Sequence, residues 1–131
     1  VIIFTNGCFD ILHRGHIEYL QQSRSLGSRL IVGLNSDASV KRLKGEDRPI
    51  NNQSDRALIL SALSCVDEVH IFDDDTPYSL IENICPDVIT KGGDYSPSGV
   101  VGNDLSKVVI IPYIEGKSTS GVIDAIKRNG D

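Results

Sequence analysis

Paired cysteines, long apolar runs and any excess of basic charge are missing from this chain, and each absence removes a class of function. The three cysteines (Cys8, Cys65, Cys85) are an odd number and none sits in a C-x-x-C pair. No Cys/His set has zinc-finger spacing, so neither a disulfide framework nor a structural zinc site is expected, and no metal ligand is assigned. Unpaired thiols fit a reducing cytoplasm. No apolar run approaches the ~20 residues of a membrane span, so no membrane partner is expected. Residue 1 opens inside the run Val1-Ile2-Ile3-Phe4 without a basic leader. No signal peptide is therefore expected, and a start at valine points to a trimmed upstream segment. The net charge is −5 and the isoelectric point lies near 5.1. That balance argues against a nucleic-acid coat or a polybasic membrane binder, which need a broad positive field. A small phosphorylated ligand needs only a local positive pocket and stays open. Repeats, low-complexity tracts and a G-x-G-x-x-G are also absent.

What remains is a soluble globular pattern. With 131 residues, 40% hydrophobic and 24% charged, the chain suits one domain over 1–131. Short runs rich in valine and isoleucine recur at Val1–Phe4, Leu30–Leu34, Val66–Phe72, Val88–Thr90 and Val108–Ile111, as buried parallel strands do. Helical patterns lie between them. Ile17 and Leu20 share a face in a helix that stops at Gly27. Ala57, Leu58, Leu60 and Leu63 mark a second. Thr76-Pro77 reads as an N-cap and first helical residue, followed by Leu80, Ile81 and Ile84, with Pro86 ending the helix. A last helix starts near Ser118. The order β-α-β-α-β-α-β-loop-β-α implies a doubly wound, Rossmann-like α/β domain with a five-stranded parallel sheet. Ligands on such sheets bind beyond the carboxyl ends of the strands, where the strand order reverses. The segments to search are 5–16, 35–49, 73–76, 91–104 and 112–120. The Gly/Ser/Pro-rich stretch Gly92–Gly102 reads as a mobile loop over that site.

The most informative stretch follows the first strand: Thr5-Asn6-Gly7-Cys8-Phe9-Asp10-Ile11-Leu12-His13-Arg14-Gly15-His16. At a helix start, His13 and His16 face one way. Gly15 between them lets a bulky anion approach the backbone. The helix N-terminus adds N–H donors and partial positive charge. The set suits a phosphate whose charge grows in a transition state. Asp10 reads as pinning the turn, and Cys8 as offering backbone contact. A second cluster, Lys41, Arg42, Lys44 and Arg48, gathers bases in an acidic chain beyond the second strand. Lys44, followed by Gly45, reaches for a ligand, Lys41 stands near it, and Arg48 before Pro49 suits a phosphate clamp. Arg56 is a weaker candidate, as likely to pair with a surface carboxylate as to reach a ligand. Lys91-Gly92-Gly93-Asp94-Tyr95 after the fourth strand lets backbone press on a flat ligand, with Lys91 in reach of phosphate. Ser118-Thr119-Ser120 caps the last helix and offers hydroxyls to phosphate oxygens. A P-loop fails, because position 111 holds Ile111 where glycine is required. His70 reads as a buried or edge histidine, and Asp73-Asp74-Asp75 as a charged loop.

Gly7-x-Phe9-Asp10-x-x-His13-x-Gly15-His16 resembles the signature of the H-x-G-H nucleotidyltransferases, the cytidylyltransferase-like family. The resemblance runs along almost the whole chain through Asn35-Ser36-Asp37, Lys41–Gly45, Arg48-Pro49, Lys91–Tyr95 and Ser118–Ser120. It is similar above all to the adenylyltransferase domain of the bifunctional ADP-heptose synthases, whose usual sugar-kinase domain is not in this chain. The resemblance implies transfer of AMP from ATP to a sugar 1-phosphate, with His13, His16 and Lys44 catalytic. It implies nucleotide binding by Gly7, Cys8, Phe9, Gly15, Lys91, Gly92, Gly93, Asp94, Ser118, Thr119 and Ser120, and sugar-phosphate binding by Lys41 and Arg48. Mg²⁺ would ride on the triphosphate. The family often dimerises, which leaves a homodimer open. Two rivals stand beside this reading. One is a cytidylyltransferase acting on glycerol 3-phosphate, whose final motif usually carries an Arg and a Lys where this chain has Tyr113 and Gly121. The other is a nucleotide-binding module without turnover.

Overall fold

The computed structural model describes residues 1–93 and 96–112. Five strands form one parallel sheet in the order β3-β2-β1-β4-β5. They are β1 (Ile2–Gly7), β2 (Arg29–Asn35), β3 (Glu68–Phe72), β4 (Val88–Gly92) and β5 (Lys107–Ile111). Helix α1 (Arg14–Ser25) joins β1 to β2. Helices α2 (Asp37–Lys44) and α3 (Gln53–Ser61) join β2 to β3, and α4 (Tyr78–Ile84) joins β3 to β4. A single 3₁₀ turn, Pro97–Gly99, lies between β4 and β5.

Alternation along the two central strands builds two cores. Ile3, Leu30, Val32 and Leu34 face one side, with Leu20 of α1, Leu60 of α3, and Phe9 and Val66. Phe4 and Ile31 face the other, with Ile81 of α4, Ile89 and Val100. Period-two side chains on strands buried on both faces account for the short, unbroken apolar runs. Acidic residues fix the strand entrances. The Asp67 carboxylate accepts from Leu30 N at 2.7 Å, and the Asp87 carboxylate accepts from Ile2 N at 2.8 Å. Where α1 ends, Gly27 is needed for close approach, since a Cβ there would stand 2.5 Å from the Val1 carbonyl.

Three local expectations change. Residues 35–49 contain a helix of their own, α2, started by the Ser36 hydroxyl accepting from Ser39 N at 3.1 Å. Only Ser39 and Val40 of α2 are buried, which is too few apolar residues to show a period. The N-cap of α4 is Pro77 and not Thr76, so the helix starts one place later than expected, and no side chain caps it. The stretch 96–102 is fastened to the sheet: Val100 is buried in the second core, and Gly102, with φ of 92°, lies against Ile89 and Ile81. The expected last helix lies outside the described residues.

β1 pairs with both β2 and β4, so the chain reverses direction of travel across the sheet there, and ligand binding is favoured at its carboxyl end. β1 and β2 stay paired to the row Gly7↔Leu34, whereas β1 and β4 pair only at Ile3↔Val88 and Phe4↔Ile89. Beyond that row the β1–β4 ladder stops, and the fork at this switch point is where a ligand crevice is expected in such a sheet.

Candidate active site

The turn from β1 into α1 stands at the head of this crevice. Gly7 carries no Cβ because the Phe9 ring would lie 3.0 Å from it. Phe9 itself takes a left-handed φ of 45°, which brings its ring edge-on to His16 with centroids 5.4 Å apart. His13 is the N-cap of α1. Its Nδ1 accepts from Gly15 N at 3.0 Å, and His16 Nδ1 accepts in turn from His13 N at 3.4 Å. This is a reciprocal capping box in which both side chains are imidazoles. The rings stack with centroids 4.0 Å apart and planes 25° apart.

A nitrogen that accepts from a backbone N–H carries no proton. Both neutral rings therefore keep theirs on Nε2, the atom turned away from the helix start. Burial, and then the neighbouring His13, hold the His16 pKa down to about 4. The ring is therefore a neutral N–H donor at neutral pH. The backbone donors of His13 and Gly15, expected to meet an anion directly, are taken by the histidines.

Cations surround the turn. Lys44, exposed at the end of α2, acts electrostatically on both Cys8 and Lys91. Lys91, near the end of β4, is pulled below its usual pKa chiefly by burial, with Lys44 adding to the shift. Burial pushes the Cys8 thiol up, against the pull of Lys44, Arg56 and Arg48. Lys44 from one side of the crevice and Lys91 from the other are thus brought to the same turn. Arg48 is mostly buried, its Nε donating to the Asp10 carboxylate at 3.4 Å. Lys41 lies exposed on α2, and Arg42 is occupied by Asp75 and the Asp73 carbonyl.

Asp10 does pin the turn, and does so across a long loop. Its carboxylate accepts from Ile50 N at 2.8 Å and from Asn51 N at 2.8 Å. Arg56 is the site residue that sequence reasoning missed. It is 1% exposed. It donates to the carbonyls of Asn51, Cys8 and Asn35 and to the Asp37 carboxylate, at 2.8–2.9 Å. One guanidinium thus joins the ends of β1 and β2 to the start of α2. Main-chain acceptors leave no mark in a sequence, so only the arginine's place inside an apolar helix stretch could have signalled it.

Gly92 ends β4, and Gly93, with φ of 89°, donates its N–H to the Ile111 carbonyl at 3.0 Å. Asp94, Ser118, Thr119 and Ser120 lie outside the described residues. His70 sits half-exposed on the edge strand β3 beside Glu68. Asp73 accepts from the Ser36 hydroxyl at 2.5 Å. Among the described residues no three His, Cys, Asp or Glu side chains converge as a metal cage, and no helix is long and apolar enough to cross a membrane.

Several known proteins are similar to this chain. The chain is 62% identical over 133 residues to the bifunctional protein HldE of Campylobacter concisus, covering 99% of this chain and 28% of that protein. It is 62% identical to the bifunctional protein HldE of Wolinella succinogenes, covering 96% of this chain and 27% of that one. The chain thus spans under a third of these relatives. Among solved structures, the lipopolysaccharide core biosynthesis protein of Thermoplasma volcanium superposes with a TM-score of 0.75 at 30% identity, covering 88% of this chain and 98% of that one. Pantothenate synthetase of Thermus thermophilus, at 18% identity and a TM-score of 0.58, covering 95% of this chain and 64% of that one, shares the fold. Residues 4–110 match the family described as cytidylyltransferase-like. With the histidine pair at the head of the crevice, the match places this chain in the cytidylyltransferase-like family.

Proposed function

We propose that this chain transfers AMP from ATP to a sugar 1-phosphate, D-glycero-β-D-manno-heptose 1-phosphate, giving ADP-heptose for the lipopolysaccharide core and releasing pyrophosphate. The interlocked histidines carry the reading: two neutral Nε2–H donors, fixed by the helix they begin, at the carboxyl end of the switch-point strand. The kinship to HldE proteins and to a lipopolysaccharide core biosynthesis protein supports the sugar.

An oxygen of the sugar phosphate attacks the α-phosphorus of ATP. The new P–O bond forms as the bond from that phosphorus to the oxygen bridging to the β-phosphate breaks, and pyrophosphate leaves with the electron pair. The attacking oxygen is already anionic at neutral pH, since the second phosphate pKa lies near 6. No general base is required. The chain's work is positioning and charge stabilisation. His13 and His16 donate to the α-phosphate and the bridging oxygen, where charge develops, each such donor being worth on the order of 3 kcal/mol. Lys44 and Lys91 neutralise the leaving pyrophosphate, and Lys41 and Arg48 serve the sugar phosphate. Gly7, Cys8, Phe9 and Gly15 shape the floor under the nucleotide. Gly92, Gly93 and Asp94 take the adenosine, and Ser118, Thr119 and Ser120 the outer phosphates. Among the described residues no three His, Cys, Asp or Glu side chains converge as a cage, and Mg²⁺ would ride on the triphosphate, keeping several waters. The chemistry suits a cytoplasmic, nucleotide-rich setting.

The deciding experiment supplies MgATP with a panel of sugar 1-phosphates and identifies the nucleotide-sugar by mass. Equal turnover with CTP and glycerol 3-phosphate would move the chain to the cytidylyltransferase rival. Absence of pyrophosphate release with every acceptor would make it a binding module.

A further inference from the structure

Directly beneath the crevice lies a buried cluster of hydroxyls that the reaction described above does not use. Thr5 and Thr90 occupy the first row past the end of the β1–β4 ladder, where the next pair would be Thr5↔Thr90. Thr5, Thr90 and Ser23 are all fully buried. Thr5 Oγ1 lies 2.7 Å from the Tyr19 hydroxyl and 3.3 Å from the Thr90 carbonyl. The Tyr19 hydroxyl donates to Thr90 Oγ1 at 3.2 Å, and Thr90 Oγ1 lies 2.9 Å from Ser23 Oγ.

These contacts link two things. Across the fork, side chains of Thr5 and Thr90 take over where backbone pairing stops, and the Tyr19 hydroxyl stands between them. Along α1, His16, Tyr19 and Ser23 are spaced i, i+3, i+7, so they share the stripe facing the sheet. The helix that begins with the histidines is thereby fastened by hydrogen bonds to β4, one residue before Lys91. Apolar packing alone would tolerate a small slide or roll of α1. A run of buried hydroxyls does not, because each misplaced hydroxyl loses its partner in a low-dielectric setting. A displacement of 1 Å at the reacting atoms is enough to cost a hundredfold in rate.

We propose that Tyr19 and Thr90 are positioning residues: their hydroxyls set the height of α1 over the β1–β4 fork and so aim His13 and His16 at the α-phosphate. They touch no substrate and act only through the histidines. The inference rests on the adenylyltransferase reading of the site.

The test compares Tyr19→Phe and Thr90→Val, each alone and in a His16→Ala background, with kcat and KM measured separately for MgATP and the sugar phosphate. We expect each single variant to lower kcat on the order of tenfold with both KM values within about twofold. Thr90→Ser, which keeps the hydroxyl, should restore most of the rate. In the His16→Ala background, where only His13 is left to aim, the same changes should have a clearly smaller further effect. The ring ¹⁵N signals of His16 should shift in Tyr19→Phe without any substrate present. An equal loss with and without His16, equal rates for Thr90→Val and Thr90→Ser, or unmoved His16 signals would each overturn the proposal. Should Thr90→Val not fold, Tyr19→Phe, which keeps the ring, carries the same comparison. Absence of turnover in the parent protein would count against the adenylyltransferase reading, while the His16 signals would still decide whether Tyr19 sets the ring's place.

Discussion

His13 has two jobs on the proposed reading: its Nδ1 begins a helix, and its Nε2 donates to the phosphate. Substitution by asparagine separates them. Asn caps helices as well as any residue, so His13→Asn should unfold in urea within about 0.5 kcal/mol of the parent, while kcat falls on the order of a hundredfold. A variant that loses both together would show that the ring serves only the helix. His16 gives a pH signature. Its folded pKa of about 4 lies below the ordinary 6.5, so the unfolded chain takes the proton more readily. The full stability is present above pH 6.5 and is lost progressively as pH falls from about 6.5 to about 4, after which this residue adds no further loss. Because the ring is partly solvated, the loss should be on the order of 2 kcal/mol. It should appear as the difference between parent and His16→Ala urea curves taken at pH 7 and pH 4.5. Arg56 answers to geometry rather than charge. Lysine has one nitrogen where four acceptors converge. Arg56→Lys should therefore destabilise by about 3 kcal/mol despite the conserved charge, and parental stability in that variant would refute the role.

At the scale of elements, the site depends on a segment with no regular structure. Residues 48–51 are held against the turn by Asp10, which is 2% exposed. Asp10→Ala leaves two backbone donors and Arg48 without their acceptor. A stability loss of about 3 kcal/mol is expected, along with a raised KM for the sugar phosphate if Arg48 serves it. Loss of stability with KM unchanged would confine Arg48 to a structural part. The elements themselves were unequally legible. β1, β2, β4 and β5 announce themselves as valine- and isoleucine-rich runs, and α1 by its spacing and Gly27. Helix α2 did not, because its start depends on one serine hydroxyl and its buried face on two residues. The Asp10 clamp was legible as a pinned turn, but its partners forty residues away were not, since they are backbone N–H groups.

Across the whole molecule, the two cores meet at the same strands: Ile3 and Phe4 are neighbours in β1 yet belong to opposite clusters. Neither core can dissolve while the other keeps β1 and β2 in place, so the described portion should unfold as one cooperative unit. Far-ultraviolet circular dichroism and the His16 ring signal should give coincident urea transitions, and separate midpoints would contradict this. The alternation of strands and helices foretold a parallel sheet. The order β3-β2-β1-β4-β5, and with it the place of the crevice, rests on pairings between strands distant in the chain. Such pairings leave no local trace in composition or period.

The imidazole capping box has a consequence for descent. A helix can begin equally well with serine, threonine, asparagine or aspartate at position 13, and with glutamate or glutamine completing the box at position 16. Histidine at both places satisfies the helix without being the helix's preference. A lineage that abandoned phosphate chemistry would be free to drift to the commoner caps and would keep its fold. On the proposed reading the surviving pair is a record of use, and its replacement by an ordinary capping box would mark a descendant that still folds but has stopped transferring.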